Sequence, residues 1–401
     1  MTNAPVFVVG VPRSGTTLLA AMLAANSKLS CGPETHFFRR LSRVDVEELC
    51  AREFWPDKAV RFICSITHTN FSTPERKPLL EKYEIDETSI SSYLSAREPS
   101  VANILASVTC QYMLRMKKNR WVEKTPDHIA HLQSVRKHFP DSPVIRIVRD
   151  PRDVALSLKK VPWGAQGFLE ALVHWKKLQD LSREFFAGDL LCYTLRFEDL
   201  IASPREQLQQ LCGFLLEEFE ESMLDTSTTG KQINSRNVAW KEKVSQPVDS
   251  SRVAVWRNEL SRQENQLAEA VLGDELEANG YPREEHFGEL GELYPTPELA
   301  ARYVGALESL ASSGVRFWKT HKNEKPSAQI YLGNPSNSSW LGQKKTKRAL
   351  STFLISTKIL KTAVSKCRVY WVPDPSEKMP SGYFGGWLKR LLTPYKLSTA
   401  D

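Results

Sequence analysis

Gly10-Val-Pro-Arg13-Ser14-Gly15-Thr16-Thr17 stands between the apolar run Val6–Val9 and the stretch Leu18–Ala25. That order predicts a buried strand, a glycine-hinged turn and a helix. Such a turn offers an anion unpaired backbone N–H groups and the positive end of a helix dipole. The G-x4-G spacing is that of a phosphate loop, but Thr16 stands where nucleotide triphosphatases carry the lysine that reaches the β- and γ-phosphates. Arg13 supplies a planar guanidinium fork instead. The loop therefore suits a nucleotide whose reacting group is not a γ-phosphate. A tight strand-to-helix connection with no ligand is the plainer reading of this segment taken alone.

Arg149-Asp150-Pro-Arg152-Asp153-Val-Ala-Leu-Ser157 repeats the placement. Val144–Val148 reads as a strand, and Pro151 suits the first turn of the following helix. Arg149 at the strand end and Ser157 about two turns into the helix can face one oxyanion if the helix folds back beside the strand. Local salt bridges among Arg149, Asp150, Arg152 and Asp153 are the alternative. Two strand-to-helix anion sites in one sheet suggest a ligand with two separated phosphates.

The elements that must position these residues alternate in type. Strands are expected at Val6–Val9, Trp121–Lys124, Val144–Val148 and Leu190–Leu195, with helices between them and a mostly helical stretch over residues 40–120. Pro126 is read as starting a helix that carries His128, His131 and His138. This alternation predicts an α/β fold, a P-loop-like parallel sheet flanked by helices on both faces, whose ligand sits at the carboxyl ends of the strands. A helix from about Ser261 closes at Gly280-Tyr-Pro282, and the βα rhythm weakens beyond it. We expect one domain over 1–288 and a C-terminal extension over 289–401.

The chain has 401 residues, 41% hydrophobic and 25% charged, an ordinary globular mix. Its net charge of +7 is unevenly spread: residues 301–401 hold 17 Lys/Arg against 5 Asp/Glu, and the rest of the chain is acidic overall. Residues 344–366 read as a basic amphipathic helix, and Tyr383–Leu392 mixes aromatic, aliphatic and basic residues. Such patterns suit a membrane surface, or equally an apolar face packed on the catalytic domain. No nucleic-acid recognition motif accompanies the charge. The seven cysteines are scattered without a C-x-x-C pair, which fits free thiols in a reducing compartment. No run approaches the ~18 apolar residues of a membrane span, and the early first strand leaves no room for a signal peptide. The expectation is a cytoplasmic protein, with docking on the inner face of a membrane as its peripheral variant.

Pro12-Arg-Ser-Gly-Thr-Thr17 followed by Arg149–Ser157 resembles the paired cofactor motifs of the sulfotransferases, which use 3′-phosphoadenosine 5′-phosphosulfate. The resemblance implies that Arg13, Ser14, Gly15, Thr16 and Thr17 hold the 5′-phosphosulfate and that Arg149 and Ser157 hold the 3′-phosphate. Cys31-Gly-Pro-Glu34-Thr35 resembles the Cys-Gly-Glu-Glu-Thr of the tyrosylprotein branch and puts Glu34 on its catalytic base. Glu123-Lys124-Thr-Pro126 resembles Asn-Lys-Asp-Pro and puts Lys124 on its catalytic lysine. Trp256-Arg-Asn-Glu-Leu260 resembles a segment common in bacterial relatives. The departures are Pro33 beside the base, Ala254 at a cofactor-contacting serine, Val161 at a second phosphate-binding arginine (with Lys159 and Lys160 nearby) and Phe197 at a tyrosine.

The expected chemistry is in-line sulfuryl transfer to a hydroxyl or amine, borne by a glycan, lipid, peptide or small molecule. Glu34 acts as general base and Lys124 neutralises the leaving oxygen. His36 is the rival base, two residues along the same segment. No metal is expected, since the leaving group carries fewer charges than a nucleoside triphosphate, and His128, His131 and His138 do not make a ligand set. Asp150, as a magnesium-binding acid, keeps a kinase-like phosphotransferase open. A non-enzymatic nucleotide-binding protein that docks at membranes is the third reading.

Overall fold

The computed structural model describes residues 4–69, 76–161, 163–165, 167–233, 244–246 and 249–283, with three strands beyond them. The chain divides into two units, Met1–Trp163 with Trp175–Arg257, and Gly164–His174 with Asn258–Asp401.

In the first unit β1 (Val6–Gly10) leads through the glycine turn into helix α1 (Thr16–Ala25), followed by β2 (Leu29–Cys31) and helix α2 (Phe37–Leu41). A small antiparallel hairpin of β3 (Thr67–Thr69) and β4 (Arg76–Pro78) sits among short helices. Then come β5 (Arg120–Lys124), β6 (Val144–Val148) and β7 (Cys192–Arg196). β2, β5, β1, β6 and β7 form one sheet in that order, and every pairing is parallel. All five residues of β1 are buried, as expected of a central parallel strand covered on both faces.

The pleat explains which side chains go where. Val6 and Val8 join Leu19, Leu23, Ile145, Ile147 and Leu195 in a core with α1. Phe7 faces the other way, edge-on to Phe38, Trp121 and Phe139 with ring centroids 6.0, 5.9 and 5.0 Å away. Because the strands are parallel and in register, with Val8 beside Lys124 and Gly10 beside Ile147, their carboxyl ends share one edge. The glycine turn, the Glu34 loop, Lys124 and Arg149 all leave the sheet there.

Two expected elements differ in detail, and one short helix is additional. The strand read as Leu190–Leu195 is Cys192–Arg196, because Asp189 accepts the Leu191 N–H and turns the chain there, which leaves Leu190 95% exposed. Phe197–Ala202 is a short helix ahead of the Pro204–Leu215 helix. The single helix expected from Pro126 is a 3-10 turn, Pro126–Ala130, and then an α-helix, Leu132–His138. His131 sits at the junction, so the three histidines do not share one helix.

In the second unit Arg262–Ala278 is helical behind a capping box in which Ser261 and Glu264 exchange hydrogen bonds. β8 (Ala328–Leu332), β9 (Trp340–Gly342) and β10 (Val369–Pro373) form an antiparallel sheet ordered β10-β8-β9. The boundary expected near 288, the basic helix over 344–366 and the Tyr383–Leu392 segment lie outside the described residues.

Candidate active site

The phosphate loop is held by packing that only glycine permits. Gly15 has φ +100°, and a Cβ there would lie 2.4 Å from Phe197 Cδ2. The turn starts with the Ser14 N–H donating to the Val11 carbonyl, and Arg13 also has positive φ. By helix geometry the first-turn N–H groups of α1 have no intrahelical acceptors. The Ser14 hydroxyl beside them is buried with no hydrogen-bond partner.

The second motif folds back as its sequence suggested and meets the first. Arg13 Nε donates to Ser157 Oγ at 3.0 Å, and Arg149 Nη1 donates to the Arg13 carbonyl at 3.2 Å. The local salt bridges also exist. Arg149 pairs with Asp153 at 3.5 Å, and Arg152 with Asp150 at 2.7 Å. Arg149 Nη2 further donates to the Arg252 carbonyl at 2.6 Å, while its buried Nε has no hydrogen-bond partner. Burial first, then the Arg149 and Arg252 guanidinium groups, push the Arg13 pKa down to about 10. Such crowding of cations is what a site for a multiply charged anion requires.

Sequence reasoning missed Arg252 and the device that brings it here. Asp153 accepts the Trp256 N–H at 2.9 Å, and the Arg152 guanidinium lies 3.5 Å over the Trp256 ring. The Trp-Arg-Asn-Glu-Leu match was the available signal. Asp150, the candidate magnesium acid, instead caps its own helix by accepting the Arg152 N–H and binds the Arg152 side chain through both oxygens.

On the other side of the loop Lys124 Nζ lies 2.5 Å from Glu34 Oε1 and 3.4 Å from Thr17 Oγ1. Lys124 is only 1% exposed and Glu34 18%. The loop bearing Glu34 is pinned from two sides. Tyr83 donates its hydroxyl to the Pro33 carbonyl at 2.6 Å, and a Cβ on Gly32 would strike the Tyr83 ring at 2.5 Å. Opposite, the buried Glu123 Oε1 accepts the hydroxyls of Thr35 and Thr125, each at 2.6 Å. Its Oε2 lies 2.9 Å from Nδ1 of the fully buried His128.

Burial works against both charges of that pair, but the partners prevail. Glu123 is held below the ordinary carboxyl range by His128, Thr125 and Thr35, and His128 is held above the ordinary imidazole value by Glu123 and Asp127. His131 goes the opposite way, pushed by burial and then by His128 down to about 4. His36, the rival base, sits at φ +52° before α2 with its Nε2 3.6 Å from Glu34 Oε2. Glu34 is thus the carboxylate on Lys124, and His36 stands behind it.

A model of the sulfotransferase family described as "Sulfotransferase family" matches residues 5–221. Protein-tyrosine sulfotransferase 2 of Gallus gallus is 25% identical over 219 residues, covering 52% of this chain and 50% of its own. The nodulation protein NoeE of Sinorhizobium fredii is 25% identical over 305 residues, covering 67% of this chain and 64% of its own. The chain spans about half the length of the tyrosine-sulfotransferase relatives from Gallus gallus and Danio rerio. Among solved structures, the sulfotransferase domain of the Synechococcus PCC 7002 olefin synthase is 20% identical, with a TM-score of 0.47 over 69% of this chain and 94% of that one. With more than half of its residues matched by the family model, from β1 through both anion-site motifs, the chain belongs to the sulfotransferase family.

Proposed function

We propose that the protein transfers a sulfuryl group from 3′-phosphoadenosine 5′-phosphosulfate to a hydroxyl or amine acceptor by in-line displacement. The observation that carries this reading is the meeting of two strand-to-helix turns in one cationic cradle, with Arg149 on the Arg13 carbonyl and Arg13 on Ser157. Membership of the sulfotransferase family supports it. The residues fit such a donor. The buried Ser14 hydroxyl and Arg149 Nε lack protein acceptors, and phosphate or sulfate oxygens would satisfy them.

Arg13, Ser14, Gly15, Thr16 and Thr17 hold the 5′-phosphosulfate, and Arg149 and Ser157 the 3′-phosphate. The donor supplies an activated sulfuryl group. Glu34 takes the acceptor's proton as the acceptor oxygen bonds to sulfur and the sulfur–phosphate oxygen bond breaks. Lys124, between Glu34 and Thr17, neutralises the charge left on the departing oxygen, a point-charge task suited to an ammonium.

Several relatives are named as tyrosine sulfotransferases, so a phenolic hydroxyl on a protein heads the acceptor classes, with glycans, lipids and small molecules beside it. Donor labelled on sulfur, offered with one acceptor of each class, tests the proposal. Label entering one class, and failing to do so in Glu34→Gln, is the expected result. Label entering none, with no binding of the bisphosphate product, contradicts it.

A further inference from the structure

The carboxylate of Glu34 has a different neighbour at each oxygen. Oε1 faces Lys124 Nζ at 2.5 Å, and Oε2 faces His36 Nε2 at 3.6 Å. The other ring nitrogen of His36, Nδ1, lies 3.1 Å from Asp127 Oδ2. Burial would raise the Asp127 carboxyl, but His36, His128 and Arg39 hold it well below the ordinary range, so it is an acceptor only. Nδ1 of His36 is thus engaged by Asp127, and Nε2 is the ring nitrogen that faces Glu34.

The geometry points to a proton relay, Glu34 to His36, oriented by Asp127. It rests on the sulfuryl-transfer reading and adds how the base is reset. A carboxyl that has taken the acceptor's proton must lose it before the next turnover. Lys124 on Oε1 already carries its full set of hydrogens and cannot receive it. His36 can. As the 3.6 Å gap closes to hydrogen-bond distance, the O–H bond at Glu34 Oε2 breaks, an N–H bond forms at His36 Nε2, and Asp127 stabilises the resulting imidazolium. The side chain of His36 is 30% exposed against 18% for Glu34, so the proton passes on to water.

The groups around His36 agree with this task. Two carboxylates, Glu34 and Asp127, flank the ring, Arg39 lies 3.6 Å from Asp127, and the His68 ring lies 5.2 Å from that of His36. The backbone fixes the ring, because the N–H of His36 is directed at Thr125 Oγ1 at 3.4 Å and its φ of +52° starts α2.

His36→Asn suits the test, since asparagine tolerates the left-handed backbone. Turnover is measured with 3′-phosphoadenosine 5′-phosphosulfate and two acceptors, phenol and 4-nitrophenol, at a pH where only the second is ionised. The relay predicts that His36→Asn slows phenol sulfation about ten-fold or more and 4-nitrophenol sulfation less than about two-fold, because no proton reaches Glu34 from the ionised acceptor. Added imidazole should restore the phenol rate. Asp127→Asn should slow phenol selectively as well, by a smaller factor. Equal losses on both acceptors in both variants would show a merely structural role and overturn the relay while leaving sulfuryl transfer standing. A wild-type chain that sulfates neither acceptor and binds no bisphosphate would overturn both.

Discussion

Around the phosphate loop three arginines from three segments crowd together, with a buried serine hydroxyl and a guanidinium nitrogen lacking acceptors. Around Glu34, along the same sheet edge, cations and carboxylates face each other: Lys124 against Glu34, His128 against Glu123. The first region gathers groups of one sign, and in the second a cation faces a carboxylate. The contrast fits the two tasks proposed for these regions. A donor cradle gains by holding hydrogen-bond donors in surplus, since a bound anion then satisfies groups that are costly to leave buried. A general base has to be aimed while nothing is bound, and a balanced network holds it in place.

Substitutions on each side should therefore fail differently. Glu34→Gln keeps the fold and the cradle and should lower kcat by about 10²–10⁴-fold, with affinity for the bisphosphate product unchanged by calorimetry. A parallel loss of product affinity would join the two regions that the structure separates. Glu123→Gln breaks a fully buried pair and should destabilise the protein by about 3–5 kcal/mol. Its pH dependence follows from the two shifts. Glu123 lies below its ordinary 4.5 when folded, so its contribution is present above that value and fades as pH falls through the folded pKa. His128 lies above its ordinary 6.5, so its contribution is present below that value and fades as pH rises through the folded pKa. The gap in Tm between wild type and Glu123→Gln should be widest between these two ordinary values and narrow on either side. A gap that does not vary with pH would mean that the pair is not ionised.

Gly15→Ala is the smallest of these perturbations. The added methyl meets Phe197 at a backbone angle alanine disfavours, and about 1–3 kcal/mol of stability should be lost in urea unfolding. Product affinity should fall with it, because the same turn aims the α1 N–H groups.

The proposed donor side was legible in the sequence to a degree that the proposed base side was not. The glycine turn and the Arg149–Ser157 stretch each lie within one strand-turn-helix unit, so spacing along the chain maps onto spacing in the site. The partners of Glu34 do not. Glu123 and His128 support the Thr35 loop from about 90 residues away, and Tyr83 grips the same loop from among the intervening short helices. Their side chains read as ordinary surface or core residues until β2 and β5 pair. Arg252 was missed because its approach depends on Asp153 catching the Trp256 backbone, a contact that spans 103 residues of chain. Pro126 misled in a small way. It opens a helical segment as expected, but a 3-10 turn precedes the helix, and that turn puts His128 in the core beside Glu123.

Binding of 3′-phosphoadenosine 5′-phosphate to wild type, Arg13→Ala, Arg149→Ala and the double variant tests the central claim, that two turns form one cradle, most directly. Each single substitution should weaken binding by about 10–100-fold through loss of charge-assisted hydrogen bonds. The double variant should lose less than the product of the two, because Arg149 also holds the Arg13 backbone. Unchanged affinity in either single variant, or ATP–Mg bound as tightly as the bisphosphate, would contradict it.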